Sequence, residues 1–152
     1  MLSQLLPRQV DNAYRGYAPG LWVLGLILLL RAIISVNSIF NGYSIATGDG
    51  MQLESFTSAG AQTAVSLFAL SAFSRLVVTL LGVLILIRYR AMVPLFFVVL
   101  LVEHLGRAVV LKALPIPGVE GPPGSIITVA LLALTAVGLI LSVRLRPRAA
   151  VR

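Results

Sequence analysis

Residues 21–40 read LWVLGLILLLRAIISVNSIF, an apolar stretch in which Arg31 is the one charged side chain. At about 1.5 Å of rise per residue, a helix of this length spans the roughly 30 Å hydrocarbon core of a bilayer. Three more apolar stretches of similar length follow, at residues 64–87, 93–111 and 125–143. A chain of 152 residues, 59% of them hydrophobic, cannot bury four such helices in a soluble core. We therefore predict an all-α membrane protein, a single domain of residues 1–152 with four transmembrane helices in an antiparallel up-down bundle.

The charges outside these stretches predict the orientation of the bundle. The two tails and the link between the second and third spans share one side, which has one acid and eight arginines: Asp11, and Arg8, Arg15, Arg88, Arg90, Arg144, Arg146, Arg148 and Arg152. The other two loops contain one basic residue and three acids: Lys112, and Asp49, Glu54 and Glu120. By the positive-inside rule, both termini are expected in the cytoplasm and the protein in the inner membrane. The apolar run resumes after Arg31 without a clear small-x-small cleavage site, which favours a retained helix over a cleaved signal peptide.

The composition narrows the possible chemistry. There is no cysteine, which excludes thiol nucleophiles and thiolate metal ligands, and the single histidine excludes a clustered-histidine metal site. A net charge of +7 would suggest nucleic acid in a soluble chain, but the loop asymmetry explains it, so no nucleic-acid partner is expected. The sequence contains no glycine-rich phosphate loop, metal-ligand spacing or nucleophile motif. It therefore assigns no catalytic residue and no cofactor.

The charged residues inside the predicted spans are the candidates for function. Counted from the cytoplasmic ends of the spans, Arg31, Arg75 and Glu103 lie about 15–18 Å deep, and Arg107 lies one helical turn further out. A central arginine costs about 2.5–3.5 kcal/mol on insertion scales, so these side chains are expected to face one another inside the bundle. Glu103 and Arg107 are four residues apart in the order that favours a pair on one helix face, and we predict that they are partners.

Two interpretations of this cluster stay open. Three arginines meet one glutamate, which leaves a formal charge of +2 for a bound anion or a partner's carboxylate to neutralise. Alternatively, the arginines are satisfied by helix carbonyls and by the side chains of Ser35, Asn37, Ser71 and Thr79, and the cluster only fixes how the helices pack. The first interpretation predicts an inward-facing anion site, with the candidate ligand-binding residues Arg31, Arg75, Glu103, His104 and Arg107.

The segment EHLGRAVV, residues 103–110, ends the third span shortly before a loop rich in proline and glycine. Together with four spans, internal termini and a longer first outer loop, this outline resembles the small DoxX-like bacterial membrane proteins. The resemblance covers nearly the whole chain by topology, and it implies the four-helix fold. DoxX itself is associated with sulfur and quinone redox chemistry. This chain has no cysteine and no evident redox site, so that activity is not carried over.

The leading functional hypothesis is a non-enzymatic inner-membrane protein, an accessory subunit or small binding protein whose cluster holds an anionic lipid or metabolite. A second hypothesis is a transporter component for a small anion, working as an oligomer because four helices enclose little volume. A third is a membrane enzyme of lipid or quinone chemistry with Glu103 or His104 as acid or base. His104 could also ligate a haem or pigment within a larger membrane complex. The expected partners are the bilayer, anionic lipid and either a second copy or a larger membrane complex.

Overall fold

The computed structural model describes residues 12, 14, 16–115 and 125–144, and its regular elements are helical. Several loop charges used for the orientation prediction, including Glu120 and Arg148, lie outside the described residues. The helices are α1 (Pro19–Phe40), α2 (Gly42–Gly48), α3 (Ser58–Arg88), α4 (Val93–Ala113) and α5 (Ser125–Val143), with short 3₁₀ turns at Leu53–Ser55 and Arg90–Met92.

Four of the described helices are long and apolar enough to cross a membrane. They are Pro19–Phe40, Ser58–Arg88, Arg90–Ala113 and Ile126–Val143. Much of their surface consists of exposed leucine, isoleucine, valine and phenylalanine side chains, which a soluble protein would have to cover. These features confirm the predicted helical class and indicate a multi-pass membrane protein.

The predicted spans agree with the helices to within a few residues except at the start of the second. There α3 begins at Ser58 instead of residue 64, and the Thr57 hydroxyl caps it by accepting a hydrogen bond from the Gly60 N–H at 3.2 Å. For residues 53–63 the sequence alone is compatible with a short extra helix or with a longer second span, and the structure has both: the 3₁₀ turn Leu53–Ser55, and the start of α3 at Ser58. The loop before them also contains the short helix α2, which the sequence did not predict.

Helix α1 is the central element of the bundle. It packs most extensively against α3 and then against α5, and α5 packs in turn against α4, whereas α3 and α4 touch only lightly. The apolar core lies toward the α3–α4 link and consists of Leu24, Ile27, Leu28, Ile85, Val93, Phe96, Phe97, Leu100 and Leu131. The first half of α4 is therefore buried, while residues 105–110 of its second half are all exposed. Because α4 leaves the core after Leu100, a gap opens between α3 and α4.

Two glycines let aromatic side chains close the core. A Cβ at Gly82 of α3 would come within 2.5 Å of Leu28 and Phe96, and a Cβ at Gly138 of α5 would overlap Phe97. Phe96 and Phe97 are adjacent on α4 and so point in directions about 100° apart. The pair thus reaches α3 and α5 from one helix, and the two glycines provide the space.

The segment before α1 is tied to the end of α5. The Tyr17 N–H donates to the Leu141 carbonyl at 3.1 Å, which satisfies one of the carbonyls that a helix end leaves without an internal partner. The Tyr14 hydroxyl donates to the Tyr17 carbonyl at 3.2 Å, and burial raises the pKa of Tyr14 to about 12. These contacts fix one end of α1 against α5.

Candidate functional site

The gap between α3 and α4 forms a half-open cavity of about 570 Å³, covered by the loop of residues 49–56. Its lining includes Asp49, Met51, Gln52, Leu53, Ser55, Phe56, Ala64, Leu67, Phe68, Ser71, Arg75, Glu103, Arg107 and Leu111. A second cavity of about 600 Å³ lies between α2 and α3 on the other side of Leu53 and Phe56, and no described charged residue lines it. The first cavity is therefore the candidate site.

Helical spacing explains why these residues line one cavity. On α3 the lining positions recur every three or four residues from Ala64 to Arg75, and on α4 they recur every four residues from Glu103 to Leu111. Such spacing puts them on one face of each helix. The two faces meet across the gap, and their span from Ala64 to Arg75 gives the cavity a length of roughly 16 Å.

Arg31 of α1 forms an ion pair with Glu103 behind this cavity. Its Nη2 donates to both carboxylate oxygens at 2.7 Å, and the residue is only 6% exposed. The Arg31 Nε is buried and has no hydrogen-bond partner among the described residues. The pair joins two helices that otherwise share few contacts.

The predicted pair of Glu103 with Arg107 is wrong. Within the described residues, Glu103 forms its ion pair with Arg31. The physical reason is burial: Arg31 cannot reach water, so it gains most from the carboxylate, whereas Arg107 is exposed on α4. The attraction of two residues four apart on a helix surface, roughly 0.2–0.5 kcal/mol, is too small to compete.

Arg75 and Arg107 both line the cavity without a close partner. Neither side chain has a hydrogen bond or ion pair to any described residue. Arg75 lies within electrostatic range of Glu103 and Asp49, which attract it, and of Arg107 and Arg31, which repel it. Two guanidinium groups therefore face the same space while the nearest carboxylate is held by a third.

The predicted hydroxyl partners do not satisfy these arginines. Ser71 donates to the Phe68 carbonyl at 3.0 Å, and Thr79 donates to the backbone carbonyl of Arg75 at 2.8 Å. Both hydroxyls thus serve the backbone of their own helix, as serine and threonine commonly do within helices. This removes two of the groups on which the packing-only interpretation relied.

His104, the remaining candidate site residue, contacts the backbone of its own helix. Its Nδ1 lies 2.7 Å from the Leu100 carbonyl of its own helix, and the described lining of the cavity does not include it. The described residues also contain no group of three or more histidine and acidic side chains that could hold a metal ion. Of the five predicted site residues, the cavity therefore brings together Arg75, Glu103 and Arg107, with Arg31 as a supporting partner.

Asp49 is the site residue that sequence analysis missed. It was assigned to an outer loop, but the chain turns back at Gly50, whose φ of 92° is in the left-handed region, and Asp49 lines the cavity. The turn itself was visible as GDG at residues 48–50. With two acids against three arginines, the described charges around the cavity sum to +1 and not to the expected +2.

Comparisons of the chain with protein-family models, with curated proteins and with solved structures give no match.

Proposed function

We propose that this is a non-enzymatic binding protein of the cell inner membrane whose α3–α4 cavity holds an anionic group between Arg75 and Arg107. The observation that carries the proposal is the pairing of Arg31 with Glu103. This pairing uses the nearest carboxylate and leaves two cavity-facing guanidinium groups without an acidic partner among the described residues.

The energetics of arginine within a bilayer favour a ligand at this position. An arginine near the centre of a bilayer costs about 2.5–3.5 kcal/mol even on insertion scales, so an unpaired one is retained at a cost to stability. Guanidinium groups bind carboxylate and phosphate through two parallel hydrogen bonds, and these charge-assisted bonds are about twice as strong as neutral ones. An anion bound between Arg75 and Arg107 would offset part of the insertion cost.

The proposed topology is an antiparallel up-down bundle with both termini in the cytoplasm, as in the DoxX-like outline. Contacts across the bundle support the alternation: Gly25 faces Leu86 and Leu28 faces Gly82, so residue numbers rise on α1 as they fall on α3. The same order relates α1 to α5, where Gly20 faces Ser142 and Val23 faces Gly138. In this topology the 49–56 loop, which covers the cavity, lies outside the cytoplasm.

Two features favour binding over the alternative functions. Glu103 is engaged by Arg31, so it is a poor candidate for an acid or base in catalysis. Toward the α3–α4 link, beyond Arg75 and Glu103, buried Phe96 and Leu100 fill the space between the helices. A cavity that is closed toward the α3–α4 link suits a binding protein better than a transport path.

The test compares ligand-induced stabilisation in three forms of the protein, each in nanodiscs of neutral lipid. Inorganic phosphate, phosphatidic acid and hexadecanoate are added to the wild type, to the double variant Arg75→Gln/Arg107→Gln, and to Arg88→Gln as an exposed control. At a ligand concentration of 100 times Kd, a bound anion stabilises by about 2.7 kcal/mol. We expect at least one anion to raise the Tm of the wild type and of Arg88→Gln, but not that of the double variant. Equal responses in all three forms, or none, would overturn the proposal.

A further inference from the structure

We infer that the ligand is a single-chain amphiphile with one carboxylate, bound with its carboxylate at Arg75 and Arg107 and its hydrocarbon chain toward the 49–56 loop. This inference rests on the proposed function and adds the chemical class and the orientation of the ligand. It follows from the charge, the lining and the volume of the cavity.

The charge around the cavity matches a monoanion. The described charged groups are Arg31, Arg75 and Arg107 against Asp49 and Glu103, which gives a formal charge of +1. One carboxylate brings this sum to zero. A doubly charged phosphate monoester would leave a net negative charge within range of Asp49 in a setting with little water to screen it.

Apolar side chains of both helices and of the loop make up most of the lining away from the arginines. Leu67, Phe68 and Leu111 belong to the helix walls, and Leu53 and Phe56 belong to the loop, which also contributes the polar residues Asp49, Gln52 and Ser55. A small hydrophilic anion would leave these side chains against water. A hydrocarbon chain attached to the carboxylate would cover them, which contributes roughly 0.8 kcal/mol per buried methylene.

The volume matches a ligand with one chain. If each non-hydrogen atom takes roughly the 30 Å³ of a water molecule in the liquid, the cavity holds on the order of twenty such atoms. A single-chain carboxylate of the size of hexadecanoate fits this volume of about 570 Å³, whereas a diacyl phospholipid exceeds it. The carboxylate would also lie near mid-membrane, a depth at which the headgroup of a bilayer phospholipid does not lie.

Radiolabelled hexadecanoate binding to the full-length protein in detergent, measured by scintillation proximity, tests the ligand class. The unlabelled competitors are butyrate, hexadecanol, hexadecyl phosphate and inorganic phosphate. We expect hexadecanoate to compete at least about tenfold better than each of them, and Arg75→Gln and Arg107→Gln each to weaken its binding by about tenfold or more. Arg88→Gln should leave the binding unchanged.

A second pair of variants tests the orientation of the chain. Leu67 and Leu70 are on the same helix and are 61% and 60% exposed, but only Leu67 lines the cavity. We expect Leu67→Gln to weaken hexadecanoate binding several-fold and Leu70→Gln to leave it unchanged. Equal effects of the two variants would overturn the proposed position of the chain.

The outcomes separate the inference from the proposed function. If butyrate or inorganic phosphate competes as well as hexadecanoate, and its binding depends on the two arginines, the inference of an amphiphilic ligand is wrong and the proposed anion site stands. If hexadecyl phosphate competes better, the carboxylate assignment is wrong. If no anion binds in a way that depends on Arg75 and Arg107, both the inference and the proposed function fail.

Discussion

Arg31 and Glu103 are 72 positions apart in the sequence, yet the Arg31 Nη2 lies 2.7 Å from both carboxylate oxygens. The shared depth of these residues could be predicted, because helical rise converts sequence position into depth along each span. Their pairing could not be predicted, because it depends on how α1 and α4 are rotated about their axes, and side chains throughout the bundle decide that rotation. Because this rotation cannot be read from the sequence, the four-residue spacing within α4 favours Arg107 as the predicted partner of Glu103.

Breaking this ion pair should destabilise the protein. Glu103→Gln leaves Arg31 buried without its carboxylate, which we expect to cost roughly 3 kcal/mol, the lower end of the range for a buried pair. The lower end applies because the Glu103 side chain is 31% exposed. Adding Arg31→Met should recover much of the loss, since it removes the unpaired charge. The free energy of unfolding in one detergent measures both effects.

The control is Glu103→Gln combined with Arg107→Met. Because Arg107 is not the ion-pair partner, this second double variant should remain about as unstable as Glu103→Gln alone. Recovery by Arg107→Met and not by Arg31→Met would reverse the assignment of the pair.

At the scale of the helices, the site exists because α3 and α4 separate beyond Leu100. The apolar length of each predicted span follows from hydropathy, and α1, α4 and α5 begin and end within a few residues of those bounds. The gap was not predictable, because it depends on how Phe96 and Phe97 fit against two glycines on neighbouring helices. Nor was the position of Asp49, because a polar loop gives no periodic signal of the direction in which it folds.

Glycine substitutions test how closely the helices pack against one another. Gly82→Ala puts a methyl group within 2.5 Å of Leu28 and Phe96, and we expect this overpacking to cost about 1–3 kcal/mol. Gly106→Ala on α4 is the matched control, because no atom lies within 4 Å of the added Cβ. It should stabilise by up to about 1 kcal/mol through helix propensity. Thermal unfolding of the two variants measures the contrast, and equal Tm changes would argue against the close approach of α1, α3 and α4 at Gly82.

For the whole molecule, the asymmetry of loop charge carries the proposed orientation. The described part of the chain places Arg88 and Arg90 at the α3–α4 link and the acids Asp49 and Glu54 between α1 and α3. In the proposed antiparallel bundle, these two regions lie on opposite sides of the membrane. In the proposed orientation, the 49–56 loop that covers the cavity lies on the non-cytoplasmic side.

Cysteine labelling tests the orientation directly, because the chain has no cysteine of its own. Glu54 and Arg90 are both exposed, so single cysteines there should react readily when a reagent reaches them. We expect an impermeant thiol reagent to label Glu54→Cys in intact cells and Arg90→Cys only after lysis. The reverse pattern would mean that the bundle has the opposite orientation in the membrane. Labelling of both cysteines in intact cells would contradict a topology that puts them on opposite sides.

The central claim, that Arg75 and Arg107 hold an anion, is tested most directly by native mass spectrometry of the protein released from its own membrane without delipidation. We predict one retained adduct of defined mass on the wild type and on Arg88→Gln, and its loss from Arg75→Gln/Arg107→Gln. Absence of an adduct from the wild type, or the same adduct on the double variant, would contradict the claim.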